Sequence, residues 1–197
     1  MTKLINLYSK FDTFVGIDWS GDKNKFQKGI SVAICNNGKS APKIIKPSKD
    51  KYWSRSSLLS LIKEIKKENN ILIGIDFAFS YPFNDGLSYF PGLSKTPSSP
   101  KNLWRLINDI NKNFDNFYGG GVWKKKPFAN YYNSPSFKGK KYQSRRRQTE
   151  IDAKNKIHSP SPTFNCVGPG SVGTGSLAGM RFLHHLKDQV SIWPFET

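Results

Sequence analysis

Two stretches of the chain spell the same pattern. Val15-Gly16-Ile17-Asp18-Trp19-Ser20 and Ile73-Gly74-Ile75-Asp76-Phe77-Ala78 each read apolar, Gly, Ile, Asp, aromatic, small. Each closes an apolar run with the character of a buried strand. A carboxylate at the end of such a strand is costly to desolvate unless something pairs with it. Two such strands side by side bring like charges together, and a cation is the usual remedy. The repeated pattern therefore points to a carboxylate-lined metal site at the edge of a sheet. Taken singly, each Asp also fits a cap on the turn after its strand.

The rest of the chain builds the sheet that such a site needs. Phe11 to Ser20 reads as strand one, and Gly21-Asp22-Lys23-Asn24-Lys25 as a turn. Lys28 to Asn36 reads as strand two, with Ile30, Val32 and Ile34 alternating, and Asn36-Asn37-Gly38 as a hairpin turn. Lys43 to Pro47 is a short strand three, completing an antiparallel meander. Ser56 to Asn69 reads as a helix burying Leu58, Leu59, Leu61, Ile62 and Ile65. Ile71 to Phe77 is strand four, a near-continuous apolar run of the kind covered on both faces. The strand-helix-strand crossover would set it parallel to strand one, on the side away from strand two.

Ser99-Pro100 is an N-cap followed by Pro at the first helical position, opening a helix to about Phe114. Its stripe is Leu103, Trp104, Leu106, Ile107, Ile110 and Phe114. Arg145 to Lys156 reads as a short helix, with Glu150 and Lys154 four residues apart. A glycine-rich entry, 168–176, leads into a helix from about Ser176 to Lys187, and Gln189 to Phe195 reads as a last strand. The fold class is α/β: a central mixed five-stranded sheet, order 3-2-1-4-5, flanked by helices. It makes a single domain over residues 1–197, with residues 1–10 a short lead-in and a basic aromatic insertion at about 115–170.

In that order the sheet reverses its winding between strands one and four, and open α/β sheets bind ligands at such a reversal. Asp18 and Asp76 would lie there, and strand five would bring Glu196 to the same edge. Three carboxylates suit a hydrated Mg²⁺ or Mn²⁺. Such an ion can hold a phosphodiester and activate a bound water, so no side-chain nucleophile is required. At the last helix start, Gly173, Thr174, Gly175 and Ser176 could cradle a phosphate on backbone N–H groups, although glycines before a helix also serve as a plain tight connection. His184 and His185 are neighbours on a helix and so face apart, a poor metal pair. They and the isolated His158 are read as surface or packing residues.

Between Asp115 and Glu150 there is no acidic residue. The cations there are Lys124, Lys125, Lys126, Lys138, Lys140, Lys141, Arg145, Arg146 and Arg147. Trp123, Phe128, Tyr131, Tyr132, Phe137 and Tyr142 are interleaved with them. Cations track a phosphate backbone and flat rings stack on exposed bases. The other reading is a basic loop whose rings pack onto the domain. The whole chain carries 31 Lys+Arg against 14 Asp+Glu, a formal charge of +17, which favours a nucleic acid as partner. No basic amphipathic helix argues for a membrane surface. Cys35 and Cys166 form no metal motif, and nothing demands a disulfide between them. The start lacks the apolar core of a signal peptide, so a cytoplasmic protein is expected.

With these pieces collected, the chain resembles the uncharacterised predicted nucleases of RNase H-like fold, grouped as a domain of unknown function. The resemblance is carried by Gly16-Ile17-Asp18-Trp19-Ser20-Gly21, by Gly74-Ile75-Asp76 with Tyr81-Pro82, and by Arg147-Gln148-Thr149-Glu150. Val172-Gly173-Thr174-Gly175-Ser176-Leu177 with Gly179, and Trp193-Pro194-Phe195-Glu196, complete it in the family's order. It implies an RNase H-like sheet with Asp18 as central metal ligand, Asp76 as a second and Glu196 as a third. Arg147 and Glu150 match a polar family motif of unassigned role. RNase H-like nucleases continue past strand five into a helix with another acidic ligand, whereas this chain stops at Thr197. Either Glu150 takes that ligand's place, or the second metal position is weak or missing.

The function expected is metal-dependent hydrolysis of nucleic acid, with Asp18, Asp76, Glu196 and Glu150 as catalytic carboxylates. Lys124, Lys125, Lys126, Lys140, Lys141, Arg145, Arg146 and Arg147 would grip the strand. Two other readings stay open: a catalytically silent nucleic-acid-binding module of the same fold, and an actin- or sugar-kinase-like nucleotide site.

Overall fold

Alternation along Thr13–Asp18 sends Thr13, Val15 and Ile17 to a buried face and Phe14, Gly16 and Asp18 to an open one. This strand, β1, is the centre of a four-stranded sheet in a computed structural model that describes residues 10–38, 41–67, 70–156 and 159–196. Strand β2 (Ser31–Asn36) lies antiparallel to β1, and β3 (Lys43–Ile45) antiparallel to β2. Strand β4 (Ile71–Ile75) lies parallel to β1, giving the order β3-β2-β1-β4. The mixed sheet, its antiparallel meander and its one parallel pairing follow from the hydrophobic pattern. The expected lead-in at 1–9, the helix end at Asn69, His158 and Thr197 lie outside the described residues.

Helix α1 (Arg55–Ile65) makes the connection between β3 and β4. It starts at Ser54, whose hydroxyl accepts from the Ser57 N–H at 3.0 Å while the Ser57 hydroxyl accepts from the Ser54 N–H at 3.0 Å. Two orphan donors are thereby satisfied at once. Leu58 and Ile62 are buried, as their spacing requires.

One expectation about β4 is corrected. Its apolar run is not covered on both faces: Leu72 is 44% exposed and Gly74 is open, with Ile71, Ile73 and Ile75 half-buried between them. A run of apolar residues reads the same whether one face is covered or both; only the packing decides.

The chain forms two compact units. The first holds the described residues through Ser20 together with Asn24–Asp76, and contains the sheet. The second holds Gly21–Lys23 and the chain from Phe77 onward. Its helices are α2 (Pro100–Ile110), α3 (Gln148–Lys156) and α4 (Gly173–Leu186). Helices α2 and α4 pack on one another. An aromatic-rich core includes Tyr81, Phe90, Trp104, Tyr132, Phe164 and Met180.

Helix α2 begins as the Ser99-Pro100 signal demands, with the Ser99 hydroxyl accepting from the Asn102 N–H at 3.3 Å. It ends sooner than expected. The buried Asn111 side chain donates to the Ile107 carbonyl and accepts from the Gly121 N–H, both at 2.7 Å, and so closes the helix before Phe114.

One larger expectation is overturned in this unit. Residues 189–195 form turns, and among the described residues no fifth strand exists. The N–H groups of Phe195 and Glu196 both donate to the Ile192 carbonyl, at 2.9 and 3.1 Å, and Pro194 has no N–H to offer a ladder. The Glu196 carboxylate then accepts from the Ile192 N–H at 2.9 Å, which takes that donor out of any ladder.

The basic aromatic stretch 115–170 carries local structure. It holds two short 3₁₀ helices, Gly120–Lys124 and Phe128–Tyr131, and bridges joining Asn133 to Lys138 and to Asn165. Tyr131 and Tyr132 are core residues, and Phe128 packs edge-on against Phe90 with ring centroids 5.0 Å apart.

Candidate functional site

The register of β1 and β4 builds the site. Gly16 faces Gly74 and Ile17 faces Ile75, so the next residues along, Asp18 and Asp76, end neighbouring parallel strands. The Asp76 N–H donates to the Ile17 carbonyl at 3.3 Å, carrying the ladder one step beyond the strand. Residues in register on parallel strands present side chains to the same face. Both carboxylates therefore stand on the open face, where Phe14, Gly16, Leu72 and Gly74 also lie. A side chain added at Gly16 or Gly74 would meet nothing, so the surface behind the pair is bare backbone. Ser31 on β2 is the residue opposite Asp18.

The turn after β1 is bonded to one member of this pair. The Trp19 N–H donates to Asp76 Oδ1 at 2.7 Å. Arg55, fully buried at the start of α1, donates from Nε to the Ser20 carbonyl at 3.1 Å and lies over the Trp19 ring at 5.5 Å. Partial burial pushes the Asp76 carboxyl above its ordinary pKa; the Trp19 amide opposes the rise, and the negative charge of Asp18 adds to it. Trp19 is the aromatic of the repeated pattern, whereas Arg55 belongs to neither motif. The only signal for Arg55 was its place directly after Ser54.

The other expected carboxylates are already engaged. Glu196 is ion-paired with Lys101 of α2 and capped by the Ile192 N–H, and the Lys101 ammonium holds its carboxyl below the usual range. Glu150, only 6% exposed, accepts from the Arg147 N–H at 2.8 Å and from the Arg147 guanidinium at 2.9 and 2.7 Å. This closes the first turn of α3, and the expected pairing with Lys154 gives way to it. Among the described residues, no three carboxylate, imidazole or thiolate groups gather as a metal set. His184 and His185 stand edge-on with ring centroids 5.4 Å apart. Both cysteines are free thiols, and burial pushes Cys166 up to about 12.

The glycine-rich entry is closely packed. Helix α4 begins at Gly173, one turn earlier than expected, so Gly173, Thr174 and Gly175 are already helical. A side chain at Gly21 would strike the backbone of Thr174 and Gly175, and one at Gly173 the Asn165 carbonyl and the Cys166 sulfur. Ser176 is fully buried, donating to the Val172 carbonyl at 2.8 Å and accepting from the Ala78 N–H at 3.2 Å.

The basic residues divide into two groups. Arg145 is buried and holds the loop 82–89: it grips Asp85 through two bonds of 2.7 and 2.6 Å and donates to the carbonyls of Pro82, Ser88 and Tyr89. That guanidinium lowers the Asp85 pKa. Arg146 donates to the Pro160 carbonyl at 3.1 Å, and Arg147 is tied to Glu150. These bonds tie all three arginines to the fold. Lys124, Lys125, Lys126, Lys138, Lys140 and Lys141 are exposed, and none of them makes an ion pair among the described residues.

Two adjacent carboxylates suit a hydrated divalent ion. Mg²⁺ keeps several waters and is commonly held by one or two carboxylates together with substrate phosphates. A cation between the two acids would offset the repulsion that Asp18 adds at Asp76. Comparison with protein-family models, with curated proteins and with solved structures gives no match for this chain.

Proposed function

We propose that this protein is a metal-dependent phosphodiester hydrolase acting on nucleic acid, built on an RNase H-like sheet. The observation that carries the reading is the register that ends β1 and β4 in adjacent acids, Asp18 and Asp76. The order β3-β2-β1-β4, with one parallel pairing at the site, supports it. Asp18 and Asp76 would hold Mg²⁺ or Mn²⁺. The ion would bind a phosphodiester oxygen and lower the pKa of a bound water, while the exposed lysines of the 124–141 segment hold the strand. A cytoplasmic setting accompanies this reading.

The test is cleavage of labelled single-stranded and duplex DNA and RNA with Mn²⁺, with Mg²⁺ and with chelator. Metal-dependent cleavage should appear in the wild type. It should fall at least 100-fold in Asp18→Asn, the order of effect expected when a metal-activated water is lost, while binding persists. Full cleavage by the variant would remove Asp18 from the chemistry.

A second reading is a silent nucleic-acid-binding module, with the same surface and no turnover. The engagement of Glu196 by Lys101 and of Glu150 by Arg147 favours it, since only two acids remain available of the four expected. Metal-independent binding without cleavage would select it.

A further inference from the structure

One aromatic of the basic segment is not in the core. Phe137 is 42% exposed, between exposed Ser136 and Lys138. Its place is fixed. Residues 134–137 form a turn in which the Ser134 N–H and the Ser134 hydroxyl donate to the Phe137 carbonyl at 3.0 and 2.8 Å, and the Phe137 N–H donates back to that hydroxyl at 3.2 Å. The base of the turn is pinned by the Gly139 N–H on the Tyr132 carbonyl at 2.8 Å. Asn133 continues the anchoring: its N–H donates to Phe164 O at 3.1 Å, and its carbonyl accepts from the Cys166 N–H at 2.8 Å.

The surroundings are cationic. Lys138 lies over the Tyr142 ring at 5.4 Å, and Lys141 over the Tyr131 ring at 5.5 Å. Lys140 is exposed between them. The Lys125 carbonyl accepts from the Ala129 N–H, and the Asn130 carbonyl from the Lys141 N–H, so the 3₁₀ turn at 128–131 joins the Lys124–Lys126 run to the Phe137 turn.

We propose that this turn is a docking point for single-stranded nucleic acid. Phe137 stacks on one unpaired base, and the lysines on either side take the neighbouring phosphates. A ring presented by a stiff turn loses little freedom on binding, and every base offers a face to stack on. In a duplex the base faces are already covered by their neighbours, so the ring favours single strands. This inference rests on the nucleic-acid partner proposed above and is independent of cleavage.

The test is fluorescence anisotropy with a labelled oligothymidylate and with a duplex of the same length, in chelator, so that no turnover occurs. Wild type should bind the single strand more tightly. Phe137→Ala should weaken single-strand binding roughly 10-fold, the cost of one lost base stack, and leave duplex binding nearly unchanged. Phe137→Trp should restore it, with indole emission quenched by the oligonucleotide. Replacing Lys124, Lys125 and Lys126 by Gln should flatten the salt dependence for both ligands. Equal binding by Phe137→Ala and wild type would overturn the proposal, as would equal loss on both ligands. Phe137-dependent binding to anionic phosphatidylserine vesicles with none to oligonucleotides would also overturn it. Phe137-dependent binding without any metal-dependent cleavage would sustain it while removing the hydrolase.

Discussion

Asp76 takes its character from three neighbours: the surface that partly desolvates it, the Trp19 N–H, and the charge of Asp18. A raised carboxyl pKa means that the fold favours the protonated form. Asp76 therefore adds stability in acid, below the pKa it has in the unfolded chain, and that stability is lost as pH rises through its folded pKa. An NMR titration of Asp18→Asn should find the Asp76 pKa lowered relative to wild type, because the repelling charge is gone. A bound divalent ion would reverse the sign, so Mn²⁺ at neutral pH should raise the melting temperature of wild type and not of Asp18→Asn. At this scale the sequence was informative where chemistry repeats, as in the two Gly-Ile-Asp ends. It was silent on Arg55, whose partners Ser20 and Trp19 lie far away in the chain and are met only on folding.

Among elements, local patterns were the legible part. Capping at Ser99, alternation in β1 and the stripe of α2 each come from a few adjacent residues. Failures came where side chains compete with backbone ladders. The 189–195 run has strand composition, but Glu196 and Pro194 commit its backbone to a turn. The basic segment has the composition of a nucleic-acid-binding loop, but Arg145 and most of its rings belong to the interior. Arg145 gathers Asp85 and three loop carbonyls around a side chain only 7% exposed. Removing the guanidinium leaves these acceptors unpaired, and Arg145→Ala should cost about 3 kcal/mol or more in urea unfolding. Arg145→Lys should recover only part of it, since an ammonium cannot span both Asp85 oxygens and the carbonyls. A loss below about 0.5 kcal/mol for Arg145→Ala, the range of ordinary surface substitutions, would show that the loop holds itself.

At the scale of the whole molecule, three acids of the second unit are spent internally and the lysines of the basic segment are not. Asp85, Glu150 and Glu196 each sit in an ion pair within the second unit, while the lysine run 124–126 faces water and makes none among the described residues. Much of the formal charge of +17 is therefore displayed as an unneutralised field, of the kind that raises encounter rates with polyanions and fades with ionic strength. Composition alone conveyed this much, but which cations are displayed required the fold.

The Arg145 clamp also sets how this unit breathes. It joins the loop 82–89 to the Phe164 ring, and Tyr132 bonds Tyr81 across the same core at 3.0 Å. The amides of Asn133, Gly139, Lys141 and Cys166 all hang from this web. They should exchange with deuterium as a group, at one shared opening free energy, and Arg145→Ala should speed all four together. Separate rates would mean that the segment opens piecemeal.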